Sequence, residues 1–254
     1  TLFSLDCKHR TFSTLLESIP FSISDDSLRS RLGKWCATEG GRYAWCLDNP
    51  TNDFNPDEFY RIGFDLTDIL KDNYAPTEPV LAYLFHLRNL MMDRVAEQNG
   101  LMATVIEEFW WPLKFEATKE LILKALKTDR KLGGWVVLTS QSPEDAIGSD
   151  IFPAIIQQTP TKVFLPNPDA KYEGSYELTG MSKKEFQELV KKSLDSRTFL
   201  VKQSRQSAFA KMDLYGFQDE MAVLSGSSSN TEILRQILEE KTYESADEWY
   251  PIFK

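Results

Sequence analysis

The chain has 254 residues, 42% hydrophobic and 26% charged, an ordinary balance for one large globular domain or one domain with an appendage. Its formal net charge of −9 argues against a general nucleic-acid coat, whose affinity rests on Lys and Arg meeting phosphates, and leaves room only for a local basic groove. The three cysteines, Cys7, Cys36 and Cys46, lack C-x-x-C spacing and read as reduced cytoplasmic thiols, and two histidines argue against a zinc site.

At the N-terminus, Thr1-Leu2-Phe3-Ser4-Leu5-Asp6 has neither an initiator Met nor the charged-then-apolar order of a signal peptide, so the chain is expected to be the middle of a longer protein or a portion of one. No apolar run is long enough to cross a bilayer. Residues 10 to 50 read as helical and loop-rich. Ser24-Asp25-Asp26 offers an N-cap with acids in the first turn, and Leu28, Leu32 and Trp35 follow at helical spacing before Gly40-Gly41. Residues 51 to 58 form a polar, turn-prone loop.

Beyond this, strands and helices alternate. Ile62 to Leu66 reads as a short strand. Pro79 to Arg94 reads as a helix burying Leu81, Leu84, Phe85, Leu87 and Leu90. Leu101 to Ile106 is a strand that ends in two acids. Ala117 to Lys131 is an amphipathic helix stopped by Gly133-Gly134, and Trp135 to Thr139 is a near-continuous apolar strand of the kind covered on both faces in a parallel sheet. Ile151 to Gln157 is a short helix, and Thr161 to Leu165 a further strand. After Pro166-Asn167-Pro168, Ser182 and Glu185 form a capping box for a helix to Lys192. Arg197 to Lys202 and Ala208 to Leu214 read as an antiparallel pair, Thr231 to Glu240 as a helix, and the tail around Trp249 and Tyr250 as a docked segment. This alternation predicts an α/β fold with a mostly parallel sheet flanked by helices, residues 1–58 forming a helical appendage and 59–254 the main domain.

The richest stretch is Ile106-Glu107-Glu108-Phe109-Trp110. Ligands of open α/β folds bind at the carboxyl ends of strands, where these acids fall. Neighbours on a regular strand point to opposite faces, so Glu107 and Glu108 can serve one site only if the chain bends there. Trp111-Pro112 favours such a break. The plainer reading is a strand end followed by a helix with acids at its positive end. Gln141 ends the following apolar strand, where a neutral amide can hold a phosphate or a water; the plainer reading is a polar turn begun by Ser142-Pro143. Arg130 ends the helix between these strands. It either complements the helix dipole or reaches a nucleotide on a neighbouring subunit, where it would stabilise transition-state charge. Lys202, Arg205 and Lys211 flank the expected hairpin and read first as solvated charges; Trp110, Trp111 and Trp135 read as core or interface. No G-x-x-x-x-G-K-[ST] occurs in the chain.

Taken in order, several segments resemble the C-terminal part of the type IV secretion and conjugative-transfer ATPases, the VirB/TrbE/CagE family. They are Gly41 to Asn49, Gly63 to Thr67, Ile106 to Trp110, Thr139 to Ala146, Thr159 to Pro168, Arg197 to Gln203 and Ala222 to Gly226. The resemblance implies a RecA-like P-loop domain of the FtsK/HerA type with a helical insertion near the start of this chain. It implies a cytoplasmic ATPase, peripheral to the bacterial inner membrane, that assembles as a hexamer or trimer of dimers with other subunits of the secretion complex. It would hydrolyse ATP with Mg²⁺ as cofactor, its work pilus biogenesis and substrate transfer. By motif, Glu107 matches the Mg²⁺-associated acid, Glu108 the catalytic glutamate, Gln141 the sensor-like glutamine and Arg130 the trans-acting arginine. Two departures stand out. The first acid is usually Asp and is Glu107 here, and the phosphate-binding loop lies upstream of every residue present. Truncation accounts for the second departure; a degenerate subunit that binds no nucleotide is the competing account. Two other classes stay open: a structural docking subunit that hydrolyses nothing, and a DNA-translocating relative.

Overall fold

The computed structural model describes residues 4–253, except 22, 23, 25, 52, 53, 225 and 244. It is an α/β structure that falls into two compact units, one of Thr1–Pro160 with Glu173–Gly180 and one of Thr161–Tyr172 with Met181–Lys254. No helix among the described residues is long and apolar enough to cross a membrane.

In the first unit, α1 (Phe12–Glu17), α2 (Leu28–Gly33) and α3 (Ala44–Leu47) are short helices, and one acid just after α3 ties α1 to the 3₁₀ turn Ala37–Glu39 that follows α2. Asp48, 7% exposed, accepts from the Ser13 N–H (2.9 Å), the Ser13 hydroxyl (2.6 Å) and the Ala37 N–H (2.7 Å). Burial alone would raise its pKa; these donors outweigh that and hold the carboxyl below the usual carboxylate range. Helix α2 is capped by Ser27, whose hydroxyl accepts from the Ser30 N–H at 3.1 Å, rather than by the expected Ser24-Asp25-Asp26, of which Asp25 lies outside the described residues.

Residues 62–66 form no strand, contrary to expectation. Asp65 accepts from both the N–H and hydroxyl of Thr67 (2.9 and 2.7 Å), and this Asx-type turn redirects the chain before a ladder could form. Helix α4 (Thr77–Glu97) buries Leu81, Phe85, Leu87 and Met92, whereas Leu90 is 43% exposed.

The expected strands at 101–106 and 135–139 are β1 (Met102–Ile106) and β2 (Gly134–Leu138), paired in parallel with Met102 opposite Gly134 and Ile106 opposite Leu138. Helix α5 (Glu116–Thr128) connects them and passes into a 3₁₀ turn, Asp129–Leu132, closed by Gly133 at φ 82°. A Cβ at Gly133 would lie 2.5 Å from the Gly100 carbonyl oxygen, so the residue has to be glycine for reasons of both torsion and space. Arg88 of α4 ties this turn to the sheet: its guanidinium pairs with the Asp129 carboxylate, and its Nε donates to Thr104 of β1 at 3.0 Å. Helices α6 (Glu144–Ile147) and α7 (Phe152–Gln158) follow β2. The core of the unit joins Phe85, Phe109, Leu113, Ile122, Ala146, Phe152 and Ile155, with Ile106 and Leu138 packed against it. The sheet is not covered on both faces among the described residues, since Val105 and Trp135 are 59% and 58% exposed.

The second unit holds an antiparallel sheet in the order β3 (Thr161–Phe164), β4 (Thr198–Gln203), β5 (Gln206–Lys211). The expected hairpin is present, turning at Ser204-Arg205. The expected parallel setting of the strand at 161 is not, because it runs antiparallel to β4 with Val163 opposite Val201. Helix α8 (Lys183–Val190) carries the expected Ser182–Glu185 capping box. Helices α9 (Gln218–Leu224), α10 (Ser228–Glu240) and α11 (Ala246–Phe253) complete the unit; α11 packs against α10, so the tail is docked as expected.

Candidate functional site

The carboxyl ends of β1 and β2 are laced together past their last paired residues. The Thr139 N–H donates to the Ile106 carbonyl at 3.0 Å, and the Phe109 N–H donates to the Thr139 carbonyl at 3.1 Å. Between these bonds the chain turns through Glu107 and Glu108. Glu108 has φ 47°, in the left-handed region that costs a non-glycine residue about 1 kcal/mol or more. Three features hold it there. Phe109 is anchored in the core at 8% exposure, its N–H is bonded to Thr139 just past β2, and the Trp111 N–H donates to the Glu108 carbonyl at 3.0 Å. This is the bend that the two acids need if both are to face one site.

The Glu108 carboxylate is gripped on both oxygens. The Gln141 side-chain amide donates to Oε1 at 3.1 Å, and the Trp110 indole N–H donates to Oε2 at 2.6 Å. A carboxylate offers about four lone-pair directions, so two remain for a further donor such as water. The turn carrying Gln141 is itself fixed, because Asp145 Oδ2 accepts from the Ser140 hydroxyl (2.6 Å) and the Ser142 N–H (3.2 Å). Glu107 lies exposed on the same turn.

The structure therefore brings together two of the four residues singled out in the sequence, Glu108 and Gln141, with Glu107 adjacent. It does not bring Arg130 to them. Arg130 sits exposed in the 3₁₀ turn before the amino end of β2, while Gln141 follows its carboxyl end, on the order of 15 Å away along the five-residue strand. Within one chain Arg130 belongs to the opposite edge of the sheet. Among the hairpin cations, Lys202 is paired with Glu185 at 3.0 Å, Arg205 is exposed at the turn, and Lys211 lines an open cavity of about 500 Å³ with Arg197, Asp195 and Asp213. All three belong to the second unit, whereas Glu108 and Gln141 belong to the first. Trp110 was read from the sequence as core or interface, but its indole is a ligand of Glu108. The signal that could have found it is the Glu-x-Trp spacing at the strand end; the break itself does not come from Pro112 as expected, because Trp111 before it stays right-handed helical at φ −59°, ψ −57°.

No family model matches the chain. Curated relatives do. The type IV secretion system protein virB4 of Bartonella henselae is 38% identical over 91% of this chain, and that of Brucella abortus 34% identical over 96%. The type IV secretion system protein PtlC of Bordetella pertussis is 32% identical over the whole chain. The chain belongs to the VirB4 family of type IV secretion proteins. It spans 28 to 31% of the length of the VirB4 and PtlC relatives it matches. Membership in this family agrees with the resemblance carried by Ile106 to Trp110 and Thr139 to Ala146, the two VirB-like segments that meet at Glu108 and Gln141.

Proposed function

We propose that this chain is the C-terminal ATPase portion of a type IV secretion motor, with a RecA-like sheet to which β1 and β2 contribute neighbouring strands. The observation that carries the reading is the contact between Glu108 and Gln141 at the carboxyl ends of two parallel strands, with Glu108 held at φ 47°. A structural turn needs neither a left-handed glutamate nor a carboxylate bonded on both oxygens. A water-polarising site needs a fixed base with free lone pairs and a neutral amide beside it.

In this reading the phosphate-binding loop comes from a segment outside residues 1–254, which hold no G-x-x-x-x-G-K-[ST]. Glu108 orients the attacking water and accepts its proton as the water adds in line to the γ-phosphorus and the opposite bond to the β–γ bridging oxygen breaks, releasing ADP. Gln141 donates to the γ-phosphate or the water while keeping the Glu108 carboxylate aligned. Arg130 serves a neighbouring subunit, which agrees with its position at the far edge of its own sheet. The site fits Mg²⁺ only in company with a nucleotide. Among the described residues no group of three or more acids, cysteines or histidines could hold an ion alone, and Mg²⁺ is commonly bound through one or two carboxylates plus phosphates. Glu107 is the residue that would hold it; when bound, the ion supplies neutralisation of phosphate charge. The rest of the reading is the one that the resemblance suggests: homo-oligomers at the inner membrane, peripheral to the bilayer, joined to other secretion subunits and energising pilus assembly and substrate transfer.

The test is ATP turnover by a polypeptide that carries this chain together with its phosphate-binding loop. Glu108→Gln keeps the side chain's size and its place in the turn but removes the base. A loss of kcat of a hundredfold or more is expected. Wild-type turnover in this variant would overturn the assignment and leave a docking subunit as the better account.

A further inference from the structure

The second oxygen of Glu108 is taken by Trp110, and nothing in the proposed reaction accounts for that bond. Trp110 is half-buried, and its indole stacks on Trp111 with ring centroids 4.9 Å apart and planes 27° from parallel. Lys114, one 3₁₀ turn further on, places its ammonium 4.7 Å from the Trp110 ring centroid and 3.7 Å from that of Trp111. The ammonium is held from the other side by Asp72 at 2.9 Å. The result is a continuous stack: Asp72, Lys114, the two indoles, and then the Glu108 carboxylate.

Each layer fixes the next. The ion pair with Asp72 restrains a flexible lysine over the aromatic faces. The cation over the rings withdraws electron density from the indole and makes its N–H a stronger donor. That N–H meets an ionised carboxylate at 2.6 Å, a charge-assisted bond of the stronger class. A glutamate has three rotatable side-chain bonds, and Gln141 restrains only one of its oxygens. With Trp110 on the other, the plane of the carboxylate is set, and with it the direction of the two lone pairs left for a water.

We propose that Trp110 is a positioning residue for the reaction, holding the Glu108 carboxylate in the orientation from which it acts on water, with Lys114 clamping the indole in place. The inference rests on the role of Glu108 proposed above. It assigns Trp110 no contact with nucleotide.

Trp110→Phe keeps an aromatic ring for the stack and for Lys114 and removes the N–H along with part of the indole. In the polypeptide that carries the phosphate-binding loop, kcat for ATP should fall about tenfold with KM and thermal midpoint near those of wild type. Trp110→His, which returns a ring N–H, should recover part of that loss. A second readout needs no turnover. In ¹H–¹⁵N spectra the indole cross-peak that disappears in Trp110→Phe should move upfield in Glu108→Gln, where its acceptor loses the charge. Wild-type kcat in Trp110→Phe beside an inactive Glu108→Gln, no advantage of His over Phe, or an indole peak unmoved by Glu108→Gln would each overturn the role of Trp110 alone. Wild-type turnover in both Trp110→Phe and Glu108→Gln would overturn the proposed function itself.

Discussion

Gln141 and Glu108 touch across 33 residues of chain because the strands before them end in register, Ile106 opposite Leu138. Their meeting is a property of the ladder rather than of either loop. Past that last pair, one bond from Thr139 to Ile106 and one from Phe109 to Thr139 carry the alignment beyond the sheet. The side chains are thereby set on a rigid edge, which is what a reacting constellation requires.

That arrangement makes Gln141 separable from Glu108. Gln141→Leu keeps the bulk of the side chain and removes the donor. With the phosphate-binding loop present, kcat for ATP should fall by about a hundredfold, the scale on which a single preorganised donor acts in a transition state. Combining it with Glu108→Gln should add little, because the two groups act on one water. Single-turnover hydrolysis of the two single variants and the double variant checks this. Strictly multiplicative losses would count against a shared role.

Arg130 gives the opposite pattern. It sits at the amino end of β2, away from its own Glu108, so in the proposed mechanism its contribution crosses to another copy. Arg130→Ala should lose most turnover, on the order of 10³-fold. Mixed with Glu108→Gln subunits, it should regain activity, since some neighbours then pair an intact Glu108 with an intact Arg130. Titrating one inactive variant into the other and finding no recovery at any ratio would remove Arg130 from the mechanism.

How much of this could be read from the chain alone differs by element. The strands at 102–106 and 134–138 and the helix between them were legible because apolar runs of strand length were punctuated by acids and by Gly133-Gly134. The capping box at Ser182 was legible because it is a local hydrogen-bond pattern. The run Ile62 to Leu66 carried the same apolar signal but no strand, because Asp65 and Thr67 close a turn that the hydrophobic pattern does not report. The direction of β3 was not legible, since its four residues are equally compatible with a parallel or antiparallel partner and only the register with β4 decides it. At the site, the types and order of Glu107, Glu108 and Gln141 were visible. The left-handed torsion at Glu108 and the grip of Trp110 were not, because both arise from Phe109 being pulled into the core.

The buried pair of Arg88 and Asp129 predicts a stability effect in the first unit. The side chains are 12% and 4% exposed, and Arg88 also bonds Thr104, so the guanidinium ties helix, turn and strand together. Asp129→Ala leaves an uncompensated buried cation and should destabilise by about 3 to 5 kcal/mol. Replacing both together, as Arg88→Met with Asp129→Leu, should cost far less. Urea titration of the single and double variants tests this, and a double variant as unstable as the single one would show that the loss came from packing rather than from the orphaned charge.

Glu185 makes the second unit sensitive to acid. Burial raises its pKa, but the Ser207 hydroxyl, the Ser182 N–H, the Lys202 ammonium and the Ser182 hydroxyl together bring it from an ordinary 4.5 down to about 2. A folded pKa below the unfolded one gives stability that is complete above the unfolded value and is lost as pH falls towards the folded value. The window is therefore pH 4.5 to about 2, and the amount at stake is on the order of 3 kcal/mol at 1.36 kcal/mol per pH unit. Glu185→Gln keeps the cap's shape but cannot ionise. Across that window the wild-type chain should lose stability more steeply than the variant, read from chemical unfolding at a series of pH values. Curves of equal slope would mean that the carboxylate, despite its four donors, is no better held in the folded chain than in the unfolded one.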